Sequence, residues 1–140
     1  MKQILTIIRF YTPPILWAGF IFILSSHQHV TVSRNYWFDF TLFKTLHMIE
    51  YGTLFILIYR AIFNTTSLPK MKIGIIALLF TILYAISDEI HQLFIPTREG
   101  KVRDVIFDTI GALFAWYFLW KLLPNLPQKL KDLAKGWQLF

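Results

Sequence analysis

Apolar residues run along this chain in four long blocks, roughly 4–24, 43–63, 73–94 and 105–123, separated by polar and turn-forming residues. Each block holds about 19–22 residues, the length a helix needs to cross ~30 Å of hydrocarbon. The pattern therefore predicts four transmembrane helices. Turn chemistry marks their ends: Ser67, Pro69 and Lys70 after the second block, Pro96 and Gly100 after the third, Pro124 and Pro127 after the fourth. In the first block, Pro13-Pro14 predicts that the helix starts or bends there, because each proline removes an amide donor and crowds the preceding turn. The uninterrupted apolar stretches, such as 15–24 and 73–86, are short enough to suit core helices of a soluble protein as well.

Composition favours the membrane. The chain is 56% hydrophobic and 16% charged, with a mean hydropathy of +0.52, whereas soluble domains carry ~25% charged residues. Fourteen Phe, five Trp and six Tyr suit lipid contact and interfacial belts. The expected fold is all-α: one domain over residues 1–140, a polytopic bundle of four transmembrane helices with its core at 15–123 and a basic tail at 124–140. Lys2 and Arg9 ahead of the apolar run 15–24 resemble a leader. The following SSHQH lacks a small-x-small cleavage pattern, so a retained first helix is expected. The absence of cysteine excludes disulfides, thiolate metal ligands and a Cys nucleophile. A net charge of +6 is met by anionic lipid headgroups without invoking nucleic acid.

Charge also predicts orientation. Four spans put both termini on one side, and nine basic residues collect there: Lys2, Arg9, Arg60, Lys70, Lys72, Lys121, Lys129, Lys131 and Lys135. Five remain opposite: Arg34, Lys44, Arg98, Lys101 and Arg103. The positive-inside rule then places both termini in the cytoplasm and turns the loops 25–42 and 95–103 outward. Asp39, Glu50, Asp88, Glu89, Glu99, Asp104 and Asp108 fall on the outer half, as do His27, His29, His47 and His91, leaving Asp132 alone inside. Topology does not require that sorting, and a shared polar pocket at the outer leaflet accounts for it. The tail, 128–140, is either a surface-lying amphipathic segment or a solvated end.

Helical spacing groups the polar residues. Lys44, His47 and Tyr51 share a face of the second helix, with Glu50 at its edge; Asp88, His91 and Gln92 share one on the third, where Glu89 reaches Gln92; Asp104 and Asp108 line the fourth, where Gly111 admits a close neighbour. Ionisable groups at membrane depth are costly and mark function by default. The plainer alternative is that Lys44, Arg98 and Arg103 merely pair with Asp88, Glu89, Asp104 and Asp108 and so specify helix packing.

Three chemistries fit the set. Lys44, Arg98 and Arg103 suit an anionic headgroup. His47 or His91 beside carboxylates suits proton transfer. Asp88, Glu89, His91, Asp104 or Asp108 could hold a divalent cation. Ser25 and Ser26 fit a helix end or a bond to a neighbouring helix better than a nucleophile. His27 and His29 read as loop surface, and Trp17, Trp37, Trp116 and Trp120 as interface anchors or lipid contacts rather than a cofactor box. No HExxH, P-loop or dinucleotide fingerprint occurs.

FILSSH at the end of the first block, Lys44-x-x-His47-x-x-Glu50-Tyr51 in the second, SDEIHQLFIPTR at 87–98 and DVIFDTIG at 104–111 together resemble the VanZ-like family of small bacterial membrane proteins. The resemblance covers about 15–119. Its founding member is associated with low-level teicoplanin resistance, so the resemblance implies a cell-envelope role. It also implies a site at Lys44, His47, Tyr51, Asp88, Glu89, Gln92, Arg98, Asp104 and Asp108, and gives no part to His91. The family often has Asn at the Asp108 position, and its usual Pro-Gly-Arg stands here as Pro96-Thr97-Arg98.

The reading that joins residues and resemblance is an outward pocket in the bacterial cytoplasmic membrane. It would bind, and potentially modify, an anionic lipid or lipid-linked envelope precursor. The candidates for chemistry are His47, Asp88, Glu89 and Asp104. The alternative is a scaffold or partner subunit whose charges only set packing. A proton-coupled transporter fits least, because the inner halves offer no polar path beyond Arg9, Arg60 and a few hydroxyls.

Overall fold

The computed structural model describes residues 2–28 and 31–139. The expectations for His29 and for the last tail residue, Phe140, lie outside the described residues. The chain is all-helical among those residues: α1 Lys2–Ser25, α2 Tyr36–Thr65, α3 Lys70–Gln92, α4 Val102–Tyr117 and a short α5 Gln128–Gly136. A π turn, Phe118–Leu122, and a 3-10 turn, Leu123–Asn125, extend α4. The first four helices are long and apolar enough to cross a membrane. Their outer faces carry Ile4, Leu16, Leu79, Phe80, Leu83, Ile106 and Phe114 in the open. Such a surface is costly in water and suits lipid, so the protein is a multi-pass membrane protein.

Two boundaries differ from the sequence pattern. α1 runs through Pro13 and Pro14, so the helix does not start there. The hydroxyl of Thr12 donates to the Ile8 carbonyl at 2.6 Å in the turn ahead of them. α2 begins at Tyr36, inside the segment expected to be an outer loop. Asn35 caps it, its side-chain oxygen accepting from the amides of Trp37 and Phe38. Asp39 in the first turn favours that end electrostatically. At 30 residues α2 is about 45 Å long, so its first turns extend beyond a ~30 Å hydrocarbon layer.

α2 is the spine, packing most extensively on α4 and also on α3 and α1. Its seam with α4 is made of small residues. A Cβ at Gly111 would collide with the Met48 carbonyl, and one at Gly52 would sit 3.1 Å from the Gly111 carbonyl. Without side chains there, the two backbones touch. Phe55, Tyr59, Ile62, Ile73, Ala77, Ala112 and Ala115 form the core near the chain termini, and Ile21, Tyr51, Leu54 and Ala85 the core nearer the opposite end.

Both termini gather at one end. The Arg60 guanidinium lies 4.9 Å from the Phe10 ring centroid, and its Nε donates to the Trp137 carbonyl at 2.5 Å. Trp17 and Trp116 are not simple interface anchors: Trp17 donates to the Glu50 carbonyl at 2.9 Å, and Trp116 fills the space left by Gly74.

Candidate functional site

At the end opposite the termini, the α1–α2 loop, the first turns of α2, the α3–α4 loop and the start of α4 enclose a cleft of about 520 Å³. That volume is in the range of small-molecule sites. Two cross-helix pairs form the wall between α2 and α4. Lys44 Nζ meets Asp104 Oδ2 at 2.7 Å, and His47 Nδ1 lies 3.5 Å from Asp108 Oδ1. Their order follows from spacing: His47 is three residues beyond Lys44 and Asp108 four beyond Asp104, so both steps climb about one helical turn. The Gly111–Met48 contact, a turn further, draws the two helices close enough for both pairs to meet.

Aromatic rings line the upper wall. The Lys44 ammonium is 6.0 Å from the centroids of both Phe40 and Phe107, and the Arg103 guanidinium 5.1 Å from that of Phe40. Arg103 Nε also approaches the second Asp104 oxygen at 3.6 Å. One carboxylate therefore holds two cations at the mouth, and the rings add attraction to the positive charge. Lys101 pairs with Glu99 outside the spans and holds that carboxyl below its usual range.

A second polar layer lies deeper. Asp88 accepts from Ser25 Oγ at 2.6 Å and from Gln92 Nε2 at 3.0 Å, tying α1 to α3. Glu89 accepts from the Lys101 amide at 2.8 Å and from Gln92 at 3.4 Å, fixing the loop that leads into α4. Gly100 lets that loop press on the Glu89 carbonyl, where a Cβ would collide. Tyr51 is fully buried, its ring stacked 6.5 Å from His47, with Asp88 and Asp108 as its charged neighbours. The Tyr51 hydroxyl, His47 Nδ1 and both Asp108 oxygens are buried without a close hydrogen-bond partner.

The nine residues of the sequence-derived site therefore divide. Lys44, His47, Gln92, Arg98 and Asp104 line the cleft. Tyr51, Asp88, Glu89 and Asp108 are buried and do not line it. Arg98 lies at the rim but donates to the Leu24 and His27 carbonyls at 3.4 and 2.9 Å, closing the end of α1. His91 stands apart, bonded to Ser26 at 3.0 Å and packed on Phe22. Among the described residues no three His, Asp or Glu side chains converge on a metal position, so Asp88, Glu89, His91, Asp104 and Asp108 form no joint ligand set.

Sequence reasoning did not single out Asp39 and Arg34 as site residues. Asp39 is buried, accepts from the Val32 amide at 3.2 Å and lines the cleft, as does Arg34. The signal for Asp39 was Asn35 four residues before it, a helix cap that draws the loop onto the site. Among the described residues, His47 is the one imidazole on the cleft wall. Its Nδ1 turns inward toward Asp108 Oδ1 at 3.5 Å, a long contact that favours this ring orientation without a close hydrogen bond.

No curated protein and no solved structure matches the chain. The family model described as VanZ/LLP1 matches residues 7–124, which takes in α1 from its second turn, the whole of α2, α3 and α4, and every element of the cleft. The chain belongs to the VanZ-like family.

Proposed function

We propose that the cleft binds the anionic headgroup of a lipid or lipid-linked cell-envelope precursor at the outer face of the bacterial cytoplasmic membrane. One observation carries this reading. All five basic residues of that end, Arg34, Lys44, Arg98, Lys101 and Arg103, surround one cleft, against three carboxylates, Asp39, Glu99 and Asp104. The excess is two positive charges (5 − 3), with histidine neutral. Arg34 forms no ion pair among the described residues, and the ion pairing of Arg103 there is limited to a long contact to Asp104. Guanidinium groups in this state suit two-point contact with phosphate or carboxylate. The nine basic residues at the termini end support the outward orientation of the cleft.

His47, turned toward Asp108, is the group placed to move a proton on the bound molecule. Asp88 and Glu89 act as framework. Membership of the family extends the proposal to a contribution to teicoplanin resistance.

The competing reading is a scaffold. It draws on the bonds Ser25–Asp88 and Lys44–Asp104, which join helices whatever occupies the cleft. Arg34 separates the two readings, because it braces no helix through an ion pair. The test is native mass spectrometry of lipids retained by the full chain, with teicoplanin susceptibility measured in parallel. Headgroup binding expects Arg34→Gln to lose retained anionic lipid at unchanged protein level. Unchanged retention and susceptibility would leave the scaffold.

A further inference from the structure

We propose that α5 is an in-plane anchor that docks the termini end of the bundle onto an anionic bilayer surface. The proposal concerns the end of the molecule remote from the cleft and stands independently of it.

The helix is sharply two-faced. Leu130, Leu133, Ala134 and Trp137 fall three and four apart on one side, and Lys129, Lys131, Asp132 and Lys135 on the other. Only Ala134 is buried in the protein; Leu130, Leu133 and Trp137 are about half exposed or more. An isolated helix with this stripe would simply be free to turn, but here its far end is fastened. Arg60 Nε donates to the Trp137 carbonyl at 2.5 Å, and Asn64 Nδ2 to the Gln138 carbonyl at 2.8 Å. Both donors stand on the last turns of α2, so the stripe is held at the level where that span leaves the hydrocarbon. An apolar stripe at that depth, flanked by lysines, matches a helix lying in the headgroup layer.

Charge selects the kind of surface. Asp132 is the only acid among the described residues at this end, and it is already taken, by Lys135 at 3.7 Å and Gln128 at 2.8 Å. Lys129 and Lys131 have no acidic partner among the described residues. Arg9, Arg60, Lys70, Lys72 and Lys121 stand at the same end. An anionic leaflet complements this array, and each lysine near such a surface strengthens docking. A water-soluble acidic protein would satisfy the charges but would leave the Leu130–Leu133–Trp137 stripe uncovered by lipid.

The natural lack of cysteine allows a direct test on the full chain. Leu133→Cys and Lys131→Cys are each labelled with an environment-sensitive fluorophore and reconstituted in phosphatidylcholine vesicles with or without phosphatidylglycerol. Quenching by bromine on the lipid chains reports insertion whichever way the protein faces. The expected result is strong quenching at 133 and weak quenching at 131, with the difference growing as phosphatidylglycerol is added. Each Lys→Gln change at 129, 131 or 135 should lower the docked-to-undocked ratio by about fivefold. Circular dichroism confirms that the four spans stay folded in every variant. Equal quenching at the two positions, or quenching indifferent to phosphatidylglycerol and to the lysines, would overturn the proposal. Protection of 133 only on adding a soluble acidic protein would overturn it in favour of a protein partner.

Discussion

The Lys44 ammonium lies 2.7 Å from a carboxylate oxygen of Asp104, joining α2 to α4 at the wall of the cleft. Both side chains are about 15% exposed, so the pair is neither a surface ion pair nor a fully buried one. Its worth falls between those limits. Lys44→Met strands a partly buried carboxylate with only the long Arg103 contact and should cost about 1–2 kcal/mol. Lys44→Met combined with Asp104→Leu removes both charges and should recover most of that loss. Chemical unfolding of the purified chain in mild detergent checks this. Additive losses in the double variant would show that the two residues do not act as a pair.

The Gly111–Met48 approach sets the spacing on which both cross-helix pairs depend. Gly111→Ala should destabilise the bundle by about 1–3 kcal/mol, the usual range for overpacking, because the collision is with backbone that cannot swing aside. Gly19→Ala is the matched control: nothing lies within 4 Å of a Cβ there. Its melting temperature should stay at or slightly above that of the wild type.

Thr97 has a φ of 69°, in the left-handed region. A β-branched residue is strained in that conformation by roughly 1–2 kcal/mol. The turn between α3 and α4 thus adopts a glycine-like backbone without a glycine, and the following Arg98 still reaches the end of α1. Thr97→Gly removes that strain together with the threonine's own interactions, and should raise stability by at most about 1 kcal/mol once the freer unfolded chain is counted. A loss in the same unfolding assay would show that the threonine side chain makes a contact worth more than the strain.

Much of this arrangement was legible in the sequence, for identifiable reasons. Block length gave the four spans, and helical spacing put Lys44 with His47 and Asp104 with Asp108 on single faces. The bareness of Gly111 pointed to a close neighbour, which is the Met48 carbonyl. Spacing along one helix does not say which face of another helix lies opposite. Asp88 and Glu89 therefore looked equivalent to Asp104, yet they turn to Ser25, Gln92 and the Lys101 amide, while Asp104 turns to the cleft. Arg98 lines the cleft as its charge suggests, but its main-chain partners, the Leu24 and His27 carbonyls, lie some seventy residues away and leave no side-chain pattern in the sequence. The early start of α2 was hidden by Asp39 and Asn35, which look like loop residues until the cap and first-turn acid are recognised. The π turn after Tyr117 has no local signal beyond Pro124 just after it.

Binding of an anionic headgroup in the basic cleft should show directly in lipid affinity. Its most direct test is the affinity of the full chain, in detergent, for a short-chain phosphatidylglycerol compared with the matching phosphatidylcholine. Arg34→Gln and Arg103→Gln, singly and together, are measured beside the wild type. The expected result is preference for phosphatidylglycerol, weakened roughly tenfold by loss of each guanidinium, and falling with added salt. Equal affinity for the two lipids, unchanged in the double variant, would rule out an anionic headgroup as the occupant of the cleft.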